Sequence, residues 1–273
     1  MVDTPLETQP RRFYDGGPAG GRPDPTSPPL IVLERTLDMD VDEFHMGRRL
    51  AYRDRELGQL LVPVDMTTFS TDLTSVPSIF LWLVPRLGRH LPAALLHDGL
   101  VSGSFTAAPG VTIDRERADL VFRAAMADTG TGLIRRWLMW TAVTLGTIFQ
   151  DRSTMWSAAE RLRWRVTAVG TLALTALLGV IATLDLFDVR VPLIGGVPWM
   201  AERVWWVELI TGAIGAVVVP LLLGLLWGRF RAAGMIAGVA LALLLHVTAA
   251  VALLTGVYQI AERLVTRATP EET

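Results

Sequence analysis

The sequence predicts an α+β soluble domain, short strands followed by helices, joined to an all-α membrane region of three transmembrane helices. Two observations carry this reading. The 273-residue chain is only 19% charged and 51% apolar, against roughly 25% charged in an ordinary soluble domain. The deficit is also local: 19 of the 25 basic residues lie in 1–165, whereas 166–260 is almost purely apolar. Within that second part, residues 166–184, 209–227 and 232–260 contain no Asp, Glu, Arg or Lys. Each run is long enough to cross a hydrocarbon core of about 30 Å as a helix.

The remaining composition excludes several kinds of chemistry. With no Cys there is no disulfide, no thiolate metal site and no Cys nucleophile. All 25 basic residues are Arg, which removes Schiff-base chemistry and a P-loop lysine. A net charge of −2 provides no general attraction to nucleic acid, and no nucleic-acid partner is expected.

Taken in order, residues 1–29 are rich in Gly and Pro, have no apolar run behind Arg11 and Arg12, and read as a disordered lead-in. Residues 30–150 form the soluble domain. Ile31-Val-Leu33 and Leu60-Leu-Val-Pro63 have strand character, with Tyr52-Arg-Asp-Arg55 as a hairpin turn. Ser75 and Pro77 are placed to open a helix running to Val84, and a second helix starts near Leu91-Pro92. A third runs from about Asp114 to Asp128 and stops at Gly130, with Ala118, Val121, Phe122, Ala125 and Met126 as one apolar stripe. A fourth covers Leu133 to Phe149, too short in its uncharged part to span a membrane.

Residues 151–165 are an Arg-rich juxtamembrane segment, in which Arg161, Arg163 and Arg165 alternate with Leu162 and Trp164. This pattern matches an anchor on anionic lipid. The predicted spans are 166–184, 209–227 and 232–258, followed by a short tail, 261–273. Arg152, Arg161, Arg163 and Arg165 precede the first span, and Arg229 and Arg231 fill the turn between the second and third. The positive-inside rule then predicts the orientation of a multi-pass membrane protein. Its N-terminal domain faces the cytoplasm and its C-terminus lies outside. Gly234-Met-Ile-Ala-Gly238 has the spacing that lets helix backbones approach, within the chain or between copies as a homo-oligomer. His246 is the one titratable group deep in a run, expected to bond a neighbouring helix.

Three motifs concentrate the polar chemistry: Thr71-Asp-Leu-Thr-Ser-Val-Pro77, Leu95-Leu-His-Asp98, and Ala118-Asp119 with Phe122 and Met126. In this order they resemble the domain-of-unknown-function family numbered 1353, found in phages and bacteria, over about residues 44–148. The chain departs from the family pattern at Thr74, where Ala is usual, and at Gly99, where an aromatic is more common. Val64-Asp-Met-Thr-Thr also replaces a short Gly turn. The resemblance implies fold and domain limits; the family brings no established activity.

From these motifs the candidate catalytic set is His97, Asp98, Asp72, Ser75 and Asp119. One imidazole and several carboxylates suit a divalent metal ion, with Asp72, His97 and Asp119 as ligands activating a water. Alternatively Ser75 is a nucleophile with His97 as its base, oriented by Asp98 or Asp119. Adjacent His97 and Asp98 point about 100° apart on a helix, which works against shared ligation. A purely structural reading has Asp72 bracing its turn, His97 bonding a backbone carbonyl and Asp119 paired with Arg89 or Arg123. The expected function is a membrane-anchored accessory protein with a metal-dependent hydrolase domain. The alternative is a non-enzymatic, phage- or prophage-derived membrane protein that oligomerises through its helices.

Overall fold

The computed structural model describes residues 12–37, 42–73, 87–150, 155–189, 196–200 and 204–268. The chain divides into two compact units that meet in sequence between Arg161 and Leu162. Among the described residues of the first unit, six short strands precede three helices. The strands are β1 (Phe13–Asp15), β2 (Leu33–Leu37), β3 (Asp42–Met46), β4 (Leu50–Asp54), β5 (Gly58–Val62) and β6 (Ser70–Thr71). They form two antiparallel three-stranded sheets, ordered β1-β4-β5 and β2-β3-β6.

The lead-in expected to be disordered is ordered from Arg12 onward. β1 pairs with β4 in the register Phe13↔Tyr52, and its three residues are buried. The glycines after it serve packing rather than flexibility: a Cβ on Gly16 would lie 2.6 Å from the Arg49 carbonyl. Asp15 anchors the segment through a two-pronged pair with Arg48, Nε to Oδ1 at 2.7 Å and a terminal nitrogen to Oδ2 at 2.5 Å. The hairpin turn is also displaced. Tyr52 is buried inside β4, and the reversal falls at residues 55–57, where Asp54 Oδ1 accepts from the Glu56 and Leu57 amides and Gly58 takes φ +74°. Strand β2 begins at Leu33, where the Ile31–Leu33 segment was expected to end.

The helices follow their sequence signals closely. Helix α1 (Leu91–Val101) has Pro in its first turn and is buried over most of its length, as its nearly all-apolar sequence requires. Helix α2 (Arg115–Asp128) is capped by Asp114, whose carboxylate accepts from the Arg117 amide at 2.8 Å. Its stripe of Ala118, Val121, Phe122, Ala125 and Met126 is buried, and Gly130 at φ +68° follows its end. Helix α3 (Leu133–Phe149) coincides with its expected span. The helix expected from Pro77 to Val84 lies outside the described residues.

The second unit contains α4 (Ala158–Leu186), α5 (Trp205–Gly224) and α6 (Arg231–Ala268), with a tight 3-10 turn at Leu225–Phe230. Among the described residues, two helical stretches are long and apolar enough to cross a membrane, Ala158–Leu186 and Trp205–Leu264. In their most apolar windows only 11% and 17% of residues are buried, so neither is the enclosed core helix of a soluble domain. Two candidate stretches stand where three runs were expected, because the second continues through α5, the turn and α6 and is folded back on itself. The fold occurs at Gly228, whose φ of +54° and ψ of −117° break the helix. Glycines then let the arms meet. A Cβ on Gly224 would lie 2.5 Å from the Met235 amide, and one on Gly238 would lie 2.8 Å from Pro220 Cβ. A Cβ on Gly234 would strike the Trp227 indole at 2.5 Å. The Gly234/Gly238 spacing is therefore used inside the chain. Polar side chains tie α4 to this hairpin: Trp227 Nε1 donates to Thr171 Oγ1 at 2.9 Å, and Thr183 Oγ1 bonds His246 Nε2 at 2.6 Å. Asp185 accepts from the Val197 amide at 2.6 Å.

Asp15→Asn should test the anchoring of the N-terminal strand. Hydrogen bonding from Arg48 holds the Asp15 carboxyl below its ordinary value near 3.8. Its contribution is therefore fully present above that value and is lost as pH falls through the lowered one. At neutral pH the substitution should cost about 1–3 kcal/mol, read from chemical unfolding followed by tryptophan fluorescence. In acid below the native carboxyl's value the two proteins should converge.

Candidate functional site

The site is built where the three helices of the first unit meet. Helix α1 contributes His97 and α2 contributes Asp119, which lies on the same side as the stripe that packs α2 into the core. Both are deeply buried, at 6% and 3% exposure. A carboxylate in that position is tolerated only if its oxygens are hydrogen-bonded. Oδ1 bonds His97 Nε2 at 2.8 Å, and Oδ2 accepts from Thr147 Oγ1 on α3 at 2.6 Å. Thr147 in turn accepts from Arg115 Nε at 3.1 Å. Phe122, one turn along α2 from Asp119, lies against the imidazole with ring centroids 4.9 Å apart.

On its other side the imidazole faces its chain neighbour. His97 Nδ1 stands 3.9 Å from Asp98 Oδ1, beyond hydrogen-bond length. Asp98 is half-buried, and its Oδ2 accepts from Thr71 Oγ1 of β6 at 2.6 Å. The same Thr71 oxygen accepts from the Leu73 amide at 2.9 Å, bracing Leu73 at φ +68°. One polar chain therefore runs Arg115–Thr147–Asp119–His97, with Asp98–Thr71 beyond the gap.

The electrostatics of His97 follow from this geometry. Burial pushes the imidazolium down, but the hydrogen bond to Asp119 and the negative charges of Asp119 and Asp98 together outweigh it, and the pKa is raised above 6.5. Hydrogen bonding by Asp119 to Nε2–H leaves Nδ1, on the Asp98 side, as the proton-exchanging nitrogen.

Of the residues singled out in the sequence, His97, Asp98 and Asp119 come together. Asp72 is exposed on the turn after β6, and among the described residues no group of three His, Asp or Glu side chains is disposed to hold a metal ion. The inward position of His97 and Asp119 and the outward one of Asp72 explain why that trio does not close. Ser75 lies outside the described residues. The structural alternatives also change partners: His97 bonds a carboxylate rather than a carbonyl, and Arg123 lies over Trp137 and Trp140 at 4.6 and 4.7 Å. Thr147 and Arg115 were missed. Their signal is the Thr141, Thr144, Thr147 spacing, a buried hydroxyl stripe on an otherwise apolar helix.

With the three motifs now on one polar chain, the comparison with known families bears on this region. Residues 44–143 match the family described as protein of unknown function (DUF1353). The matched DUF1353 segment runs from β3 through most of α3 and contains every member of the polar chain except Thr147. Gly99, one departure from the resemblance, has a local reason: a Cβ there would lie 2.6 Å from Val62 Cγ1 on β5. The apolar helices of the second unit lie outside the DUF1353 match. The chain matches no curated protein and no solved structure.

Asp119→Asn should expose the linkage between His97 and stability. With the native pKa raised, the imidazolium–carboxylate interaction is fully present below pH 6.5 and fades as pH rises through the native value. The wild-type melting temperature should therefore fall from pH 6 toward alkaline pH, and that slope should flatten in the variant. Titration of His97 by NMR should show a midpoint above 6.5 in the wild type and a lower one in Asp119→Asn.

Proposed function

We propose that this chain is a membrane-anchored accessory protein whose soluble unit is a hydrolase using His97 as general base. The observation that carries the reading is the buried Asp119–His97 pair, 2.8 Å apart, with Nδ1 turned toward the half-buried Asp98. Asp119 fixes the ring and its tautomer, as the orienting carboxylate does in any carboxylate–histidine general-base pair. A water or hydroxyl arriving beside Asp98 meets Nδ1 as proton acceptor, while the Asp98 carboxylate orients it. Asp98 is itself held by Thr71, so the approach side is as fixed as the base. The chemistry needs only this imidazole and two carboxylates.

Anchoring rests on the two exposed apolar stretches. Read as three crossings, α4, α5 and α6 have the arginines at 161–165 and 229–231 at one end, and the positive-inside rule supports a cytoplasmic soluble unit.

The burial of His97 and Asp119 favours a second reading, in which the polar chain is a strut joining α1, α2 and α3 in a non-enzymatic protein. The two readings separate on activity. The detergent-purified full chain should hydrolyse at least one member of a panel of chromogenic carboxylic and phosphoric esters. The rate should rise with pH through a midpoint above 6.5, because the unprotonated imidazole is the active form. His97→Gln should lower turnover by roughly 10²–10⁴-fold with near-native circular dichroism. Absence of turnover across the panel, together with a large loss of melting temperature in His97→Gln, would establish the strut.

A further inference from the structure

Sixty-six positions separate Arg163 from Arg229, yet both guanidinium groups lie against one indole. Arg163 is centred 4.9 Å from the Trp164 ring and Arg229 5.7 Å from it, within the range of a cation–π contact. Arg229 also lies 5.2 Å from the Phe230 ring, which meets Trp164 edge-on at 5.3 Å. Trp164 is itself buried, at 8% exposure, whereas Arg163 and Arg229 are exposed. The Gly228 turn makes the approach possible, since a Cβ there would lie 3.1 Å from the indole.

We propose that Arg163 and Arg229, splayed on Trp164, form a clamp for the phosphate of an anionic phospholipid headgroup. Three features point to that occupant. The cluster presents donors: the guanidinium forks of Arg163 and Arg229, both exposed. Planar guanidinium forks match phosphate oxygens in pairs. The depth is also that of a headgroup, because the uncharged run of α4 begins at Val166 and the turn itself opens on exposed Leu225 and Leu226. Aromatic contact pre-orders side chains that would otherwise lose rotamer freedom on binding, and this distinguishes a built site from a diffuse basic rim. Arg165 and Arg231 flank the cluster and extend its positive field.

The inference rests on the membrane-anchored reading, and the experiment separates the two. Carbonate extraction of cell membranes comes first: release of the full chain into the soluble fraction overturns the anchoring and the clamp with it. For a chain that stays in the membrane, native mass spectrometry of the detergent-purified protein then measures retention of phosphatidylglycerol against phosphatidylcholine. The clamp requires preferential retention of phosphatidylglycerol, at least a tenfold loss in either Arg163→Gln or Arg229→Gln, and no comparable loss in Arg22→Gln, an equal charge change in the first unit. The double variant should lose little more than either single one, because half a clamp holds poorly. Equal losses in all three single variants would mean diffuse electrostatics and overturn the site. Equal retention of the two lipids would overturn it as well, and displacement of phosphatidylglycerol by millimolar inorganic phosphate would reassign the site to a free anion. Trp164→Leu should reproduce the loss, and where it misfolds by circular dichroism the arginine variants decide alone.

Discussion

One buried carboxylate organises the soluble unit. Asp119 occupies a position where water cannot reach it, so its oxygens must find donors within the protein. One donor comes from α1 and the other from α3, and this fixes how the three helices are placed around α2. Apolar packing alone tolerates small rotations and slides between helices. A pair of hydrogen bonds at 2.8 and 2.6 Å does not, because a helix displaced by one residue would leave the charge unpartnered in a low-dielectric interior. The arrangement then propagates: a fixed His97 turns Nδ1 toward Asp98, 3.9 Å away, and Asp98 accepts in turn from Thr71.

The second unit is held together by a different balance. Its helices present apolar side chains outward along most of their length. They meet by close approach. Gly224, Gly234 and Gly238 remove side chains where the arms of the folded stretch meet, and Trp227–Thr171 and Thr183–His246 add directional bonds to α4. These small residues close the hairpin within the chain. His246 has the helix-to-helix role that a lone imidazole in an apolar run suits best.

The two units also differ in how far they can be read from the chain. Helices α2 and α3 were legible to within a residue or so, because their apolar spacing, the Asp114 cap and the Gly130 stop are all local signals. The strands were harder. β1 has three residues, too few to display alternation, and it sits among Gly and Pro whose usual meaning is flexibility. Its order comes from β4 and Arg48, both more than thirty positions away. The displaced turn after β4 has a similar cause, since Asp54 and Gly58 settle the reversal once Tyr52 is drawn into the core.

For the candidate site, residue types and their order along the chain were sufficient to name His97, Asp98 and Asp119 and to tie them to the DUF1353 pattern. Absence of Cys and Lys likewise limited the chemistry to imidazole, carboxylate and hydroxyl groups. Composition alone also determined that the latter part of the chain is apolar enough to cross a membrane. Which oxygen meets which nitrogen was decided only in three dimensions. The pairing of His97 with Asp119, the outward position of Asp72, the entry of Thr147 and the meeting of Arg163 with Arg229 on one indole all join elements distant in sequence. Local patterns specify helices because their hydrogen bonds close within four residues. Contacts between helices depend on the packing of whole faces, and no short window of sequence contains that information.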